Sequence, residues 1–130
     1  MENIRYTTKE TIESLCRKLK LPKPHEYSQD WEDEVMDSQR IEEFIECYQK
    51  QTMNEDEKFT LMVIIINSCD DALSNESLDM ESWRKVRALL LNDRDIHKET
   101  IDYWSAEEIE DVEDCFAITP LIREIKKEVL

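Results

Sequence analysis

Carboxylate side chains are concentrated in two stretches of this sequence, and they are the groups with the clearest chemical potential. Residues 26–57 contain twelve acidic and two basic side chains, and residues 93–114 contain ten acidic and two basic ones. The rest of the chain is slightly basic, although the formal net charge of the whole is −15. Concentrated carboxylates attract cationic surfaces and accelerate association with them. The pattern therefore predicts binding surfaces for a basic protein.

The second stretch predicts an acidic ridge on a helix over residues 106–117. At 100° per residue, Ile109, Val112 and Phe116 define the buried side of that helix. The opposite side carries Glu107, Glu110, Asp111 and Asp114. Like charges three and four residues apart destabilise a helix by about 0.2–0.5 kcal/mol per pair, so local stability does not explain them. They are predicted to contact a partner, with solubility as the alternative.

The first stretch predicts a second acidic patch, formed by Asp30, Glu32, Asp33 and Asp37. Carboxylates at the start of a helix interact favourably with the helix dipole, so local stability is an alternative explanation for this patch. Aromatic residues flank both patches. Tyr27 and Tyr103 are predicted to anchor an interface, whereas Trp31 and Trp104 also fit apolar core positions and are predicted to be buried.

The chain contains no glycine, and this excludes several kinds of functional site. Phosphate-binding loops, dinucleotide-binding fingerprints, nucleophile elbows and EF-hands all need glycine where the backbone turns sharply or a ligand approaches it. The acidic charge disfavours direct binding to nucleic acid or to an anionic membrane. The four cysteines are widely spaced and are predicted to be buried thiols, and with two histidines they offer no zinc framework. No cofactor is expected.

Capping signals and apolar periodicity predict an all-α fold of about seven short helices, arranged as a compact bundle or a stack of helical hairpins. The capping signals are Thr7-x-x-Glu10, Asn54-x-x-Glu57, Ser105-x-x-Glu108 and Thr119-Pro120. The predicted helices cover residues 8–20, 31–50 with a possible break near residue 37, 55–73, 80–91, 94–104, 106–117 and 120–129. Residues 55–73 are apolar on nearly every side, which predicts that this helix is central.

The length of 130 residues predicts a single helical domain over residues 1–130. No apolar run approaches the roughly 18 residues needed to span a bilayer. The first residues, MENIRYTTKE, lack the pattern of a signal peptide. A cytoplasmic location is therefore expected.

Two segments carry a resemblance to a functional class. The ridge EEIEDVED (Glu107 to Asp114) and the segment WRKVRALLLNDRDIHKETIDYW (Trp83 to Trp104) occur in a small, acidic, all-helical chain without paired cysteines. In these features the chain resembles bacterial immunity proteins of toxin and immunity pairs, including those of contact-dependent inhibition systems. The resemblance implies a protein that is not an enzyme and that neutralises a secreted, nuclease-like toxin by covering its active site.

Other interpretations remain open. A phage-type mimic of nucleic acid would use its carboxylates as a phosphate track and would bind many DNA-binding proteins, and a plain adaptor domain is also compatible with the sequence. Glu42-Glu43-x-x-Glu46 is similar to half of the metal-binding pattern of all-helical nucleotide pyrophosphohydrolases. The second half would be Asn67-x-x-Asp70, where asparagine replaces the expected glutamate. That resemblance would imply Mg²⁺-dependent hydrolysis.

Overall fold

The computed structural model describes residues 7–24, 31–111 and 115–129, and within these ranges the fold is all-α, as predicted. Two predictions about helix bounds are also confirmed. Residues 55–73 fall in one long helix, and residues 31–50 form two helices separated near residue 37. The helices are α1 (Lys9–Leu19), α2 (Trp31–Glu34), α3 (Ile41–Lys50), α4 (Glu55–Ser74), α5 (Met80–Asn92), α6 (Arg94–Ser105) and α7 (Thr119–Val129).

The start of α4 is the helix boundary that the sequence predicts most clearly. The backbone N–H of Glu57 donates to Asn54 Oδ1 at 2.8 Å, and the N–H of Asn54 donates to Glu57 Oε1 at 3.5 Å. This is the reciprocal capping box that Asn54-x-x-Glu57 predicted. The prediction for α1 is wrong by one residue, since Thr8 caps the helix through the N–H of Thr11. The hydroxyl of Thr7 instead bonds to the side chain of Glu32.

The chain divides into two compact units, Met1–Ser68 (unit 1) and Cys69–Leu130 (unit 2), and the division falls inside α4. In unit 1, α1 packs against α3. The indole N–H of Trp31 donates to the carbonyl of Pro22 at 2.8 Å, which ties α2 to the segment after α1. Side chains with no exposed surface in this unit include Leu15, Phe44, Leu61, Met62, Ile64, Ile65 and Ile66.

Glu57 is a buried carboxylate at the start of α4, with an exposed fraction of 7%. Its Oε2 accepts a hydrogen bond from the hydroxyl of Ser14 at 2.9 Å and forms an ion pair with Lys18. Burial on its own would raise the pKa of Glu57, but the hydrogen bonds from Lys18, Ser14 and the Asn54 backbone outweigh it. The net pKa is lowered from its ordinary value of 4.5. These contacts connect α1 to α4.

Replacing Glu57 with glutamine is expected to lower the free energy of unfolding by about 1–3 kcal/mol, because Lys18 loses its anionic partner in a half-buried site. The folded state holds the Glu57 proton less tightly than the unfolded chain does. The contribution of Glu57 is therefore present above pH 4.5 and is lost as the pH falls through the lowered pKa. Urea unfolding between pH 7 and pH 3 should show a flatter pH dependence for Glu57→Gln than for the wild type.

The control for this measurement is Glu46→Gln. Glu46 pairs with Lys50 at 3.0 Å, and both side chains are largely exposed. An exposed pair of this kind contributes about 0.5 kcal/mol or less. If the two variants unfold at the same urea concentration at pH 7, the network around Glu57 does not stabilise the fold.

In unit 2, α6 and α7 form the most extensive helix pair, and α5 packs against both. The buried apolar side chains come from all three helices and from the intervening turn: Val86, Leu90, Ile101, Trp104, Ile118, Ile122 and Ile125. His97 is also fully buried on α6, in agreement with a structural role. The N–H of Ile118 donates to Asp70 Oδ1 at 3.0 Å, which fixes the turn before α7.

The predicted helix over residues 106–117 is wrong for the residues that the structure describes. Residues 106–111 and 115–118 form turns and bends, and residues 112–114 lie outside the described ranges. Ser105, predicted to begin this helix, is instead the last residue of α6, and its hydroxyl donates to the carbonyl of Asp102 at 2.8 Å. The seven observed helices arise because residues 31–50 form two helices and residues 106–117 form none within the described part.

In the part of the chain that the structure describes, three helices or turns end with a residue of positive φ, a position that usually favours glycine. These residues are Lys20 (φ 54°), Glu76 (φ 55°) and Ala106 (φ 45°). A left-handed conformation costs a residue with a Cβ atom about 1–2 kcal/mol. The termini of α1 and α6 therefore keep their geometry at a local energetic cost that packing must offset.

The cysteines agree with the prediction of structural thiols. Cys16, Cys47 and Cys69 are buried, Cys115 is half-buried, and none forms a disulfide. Burial raises the pKa of Cys16 and Cys47 and raises that of Cys69 to about 12, so these groups stay protonated at neutral pH. Nowhere in residues 7–24, 31–111 and 115–129 is a helix both long and apolar enough to cross a membrane.

Candidate partner-binding surface

The acidic residues predicted to form a helical ridge lie instead on an irregular segment, residues 106–111, which we call the acidic loop. The loop begins where α6 ends, with Ala106 in the left-handed conformation and its N–H bonded to the carbonyl of Tyr103. A second turn follows, in which the N–H of Ile109 donates to the carbonyl of Ala106 at 3.0 Å. The loop carboxylates are therefore displayed from a chain of turns instead of one face of a helix.

The side chain of Arg123, on α7, forms hydrogen bonds with the backbone of the acidic loop. Its Nε donates to the carbonyl of Ser105 at 2.7 Å. Its Nη2 donates to the carbonyl of Ala106 at 2.9 Å and to that of Ile109 at 3.1 Å. The same nitrogen lies 3.7 Å from Cys115 Sγ, whose thiol donates to the carbonyl of Asp111 at 3.6 Å. One planar guanidinium thus contacts the start and the middle of the loop and, through Cys115, its end.

These contacts stabilise the turns that the described residues form in place of the predicted helix. In a helix, the carbonyl of Ala106 would accept from the N–H group four residues later. Here it accepts from the N–H of Ile109, three residues later, and from Arg123, whose charge-assisted hydrogen bond is stronger than a neutral one. Leaving the helical conformation also separates like charges that a helix would stack three and four residues apart.

The acidic side chains of the loop are exposed, and Lys126 contacts the first of them. Glu107, Glu108, Glu110 and Asp111 are all exposed. Lys126 Nζ lies 3.2 Å from Glu107 and 3.1 Å from Asp102. The hydrogen bonds to Asp102 and Glu107 raise the pKa of Lys126 against the opposing effect of burial. Among the described residues, Glu108 and Glu110 have no cationic partner.

Tyr103 supplies an exposed aromatic group next to the acidic loop. Its exposed fraction is 63%, the largest among the bulky hydrophobic side chains in the described ranges. The ring stacks edge-on against Trp104 at 5.5 Å and lies 5.6 Å from Phe116. Trp104 is buried, as predicted, and its ring centroid is 4.4 Å from that of Phe116. The aromatic contacts hold Tyr103 in place while leaving one face open.

The described carboxylates of the first patch take part in local structure. The half-buried Glu32 accepts from the hydroxyl of Thr7, and Asp33 Oδ1 accepts from the amide of Asn67 at 2.8 Å. Asp37 Oδ1 caps the next turn by accepting from the N–H of Gln39 at 2.9 Å. Helix stability and packing therefore account for these contacts. Asp30 and Tyr27 of this patch, and Asp114 of the ridge, lie outside the described residues.

The glutamates that resemble a metal-binding pattern lie on the exposed side of α3. Glu43 pairs with Arg40, and Glu46 pairs with Lys50. The amide of Asn67 donates to Asp33. Within the described ranges, no group of three or more His, Cys, Asp or Glu side chains has an arrangement that could hold a metal ion.

The sequence did not indicate Arg123 or Lys126 as parts of this surface. Arg123 is the first basic residue after Lys98, so it is separated from most of the acidic loop by more than a dozen residues. Its local pattern on α7 is that of an ordinary half-buried helical arginine. Only the packing of α7 against α6 brings it to the loop carbonyls.

No protein-family model matches this chain, and neither does any curated protein or solved structure. The surface formed by the acidic loop and Tyr103 is therefore the feature of this chain that points to a function.

Proposed function

We propose that this chain is an acidic protein-binding inhibitor that covers the basic surface of a partner, and that the partner is a cognate nuclease-like toxin for which it is the immunity protein. The observation that carries the proposal is the set of hydrogen bonds by which Arg123 fixes the backbone of the acidic loop. Three carbonyls of residues 105–109 accept hydrogen bonds from its guanidinium. The exposed carboxylates are thereby displayed on a backbone that is ordered before any partner arrives.

Order of this kind favours tight binding. Association must overcome the entropy lost when loops and side chains become fixed, and a loop already fixed by Arg123 loses less. Tyrosine is enriched at the energetic centres of interfaces because it buries a large rigid area and retains a polar tip. Tyr103 precedes the acidic loop in the sequence, so an aromatic anchor and the negative charge of Glu107 belong to the same surface. The surface thus supports recognition of a basic protein by apolar contact and electrostatic attraction together.

The class of partner follows from the charge. Carboxylates steer cationic surfaces towards them and repel phosphate backbones and anionic lipid. Proteins that cut nucleic acid present basic surfaces to hold phosphates, and an acidic protein bound there would exclude the substrate. Such an inhibitor would act in the cytoplasm of a bacterial cell, where it would meet an incoming toxin.

The test is capture of the partner on immobilised protein at about 0.05 M salt, followed by elution in a salt gradient. We expect one basic protein that elutes as the salt concentration rises and whose cleavage of plasmid DNA or RNA stops when one equivalent of this chain is added. Retention of many unrelated DNA-binding proteins would instead indicate a nucleic-acid mimic. A partner that stays bound in high salt and keeps its activity would indicate an adaptor and contradict the proposal.

A further inference from the structure

A groove with a volume of about 750 Å³ runs beside α1 in unit 1. Its apolar lining includes Ile12 and Cys16 of α1 and Leu21 of the segment that follows the helix. Cys16 and Leu21 are themselves buried, so the floor of the groove belongs to the folded core. The volume falls within the range typical of ligand sites, about 300–1,000 Å³.

The rim of the groove is basic, in contrast to the chain as a whole. Lys9, Arg17 and Lys23 line it together with one carboxylate, Glu13. All three cations are exposed, and none forms an ion pair with another residue in the described ranges. Lys18, one residue further along α1, is by contrast engaged by Glu57. Three cations without an acidic partner among the described residues, placed around an apolar floor, are unusual in a protein with a net charge of −15.

The cations lie at separate points along the groove. Lys9 and Arg17 are eight residues apart on α1, which corresponds to a rise of about 12 Å along the helix axis. Ile12 and Cys16 lie between them on the same helix. Lys23 also lines the groove, on the segment that follows α1. The rim thus places positive charge at two separated positions with an apolar region between them.

We propose that this groove binds a short acidic peptide segment of a partner protein, with two carboxylates separated by about 12 Å and an apolar side chain between them. An extended peptide advances about 3.3 Å per residue, so carboxylates four residues apart span the required distance. A fatty acid has a single charged head and would leave one end of the cationic rim without a partner. Nucleic acid carries a continuous row of phosphates, so some of them would fall on the apolar region between the cations and beside Glu13.

This groove belongs to unit 1, whereas the acidic loop belongs to unit 2. The ligand has the opposite charge to the partner proposed for the acidic loop. Substitutions in one site leave the residues of the other unchanged, so the two proposals can fail separately.

The experiment is calorimetric titration of the full chain with the blocked pentapeptide EALAE, which has the required spacing of carboxylates around leucine. We expect binding in the micromolar range, and at least a tenfold loss of affinity, about 1.4 kcal/mol, in the double variant Arg17→Glu, Lys23→Glu. The matched control is Lys20→Glu, an exposed position at the end of α1 that does not line the groove. The affinity of the Lys20→Glu variant for EALAE should stay within about threefold of that of the wild type.

Several outcomes would overturn the proposal. If no heat of binding is detected with EALAE up to about 1 mM peptide, the groove does not bind this acidic peptide and the proposal is wrong. Equal binding of the uncharged peptide QALAQ would show that the cations have no role. Tighter binding of dodecanoate or of inorganic polyphosphate than of EALAE would assign the groove to a lipid or to a phosphate ligand. If the double variant has an altered circular dichroism spectrum, the neutral pair Arg17→Gln, Lys23→Gln replaces it, and unchanged affinity there contradicts the proposal.

Discussion

Replacing Glu107, Glu110 and Asp111 together with lysine is expected to weaken binding of the captured partner by at least about a hundredfold, or about 2.7 kcal/mol. All three side chains are exposed on the acidic loop, and each substitution changes an attraction to a basic surface into a repulsion. Because exposed interface charges act mainly on the encounter, most of the loss should appear in the association rate. Surface plasmon resonance at several salt concentrations measures both the rate and its salt dependence.

The control is a second triple variant with the same change in net charge, Glu76→Lys, Glu99→Lys and Glu124→Lys. These residues are exposed, belong to the same unit as the acidic loop and lie outside it. We expect a loss of less than about tenfold, since exposed charges outside the acidic loop act on the partner only through a field that salt screens over roughly 8–10 Å. Equal losses in both triples would mean that net charge alone governs binding. An unchanged affinity in the loop triple would exclude the acidic loop as the interface.

Replacing Arg123 with alanine is expected to release the acidic loop while the helices stay formed. Three backbone carbonyls lose a charged donor, and we expect the free energy of unfolding to fall by about 2 kcal/mol. The affinity for the partner should fall at least about tenfold, because binding must then order the loop again. The rate of hydrogen exchange at the Ile109 amide, which bonds to the carbonyl of Ala106, measures directly how often the loop opens.

Two further variants separate the geometry of Arg123 from its charge. Arg123→Lys keeps the charge, but a single ammonium group cannot reproduce the planar set of donors that spans Ser105 to Ile109. It should therefore resemble Arg123→Ala in hydrogen exchange. Arg84→Ala removes an exposed arginine that pairs with the exposed Glu81 at 2.7 Å, and should cost about 0.5 kcal/mol or less. Full protection of Ile109 in Arg123→Lys would show that charge suffices.

Much of the helical framework can be predicted from the sequence because its causes are local. The reciprocal bonds between Asn54 and Glu57 need only four consecutive residues, and they set the start of α4 wherever the rest of the chain lies. The run from Leu61 to Ile66 has apolar groups on every side, and this alone predicts that the middle of α4 is buried. The possible break near residue 37 is similarly local, since Asp37 caps its own turn.

The same local reasoning is less successful where a side chain from a distant part of the sequence forms a hydrogen bond with the predicted capping residue. Thr7 fits a capping position, but Glu32 takes its hydroxyl and the cap moves to Thr8. Sequence patterns also indicated the carboxylates of both acidic stretches as candidates for partner binding, without separating their roles. The contacts of Glu32 and Asp33 with Thr7 and Asn67 come from residues more than twenty positions away.

The sequence by itself determined that this protein is acidic, helical and without any glycine-dependent ligand loop, because charge, periodicity and capping are properties of neighbouring residues. The conformation of the acidic loop was decided by tertiary structure alone. Residues 106–111 have the periodicity of a helix, but the guanidinium of Arg123 donates to the carbonyls of Ala106 and Ile109 and stabilises the turns instead. Those charge-assisted bonds outweigh a weak local preference that like-charge repulsion already opposes. The carboxylates are consequently presented on an ordered loop beside Tyr103.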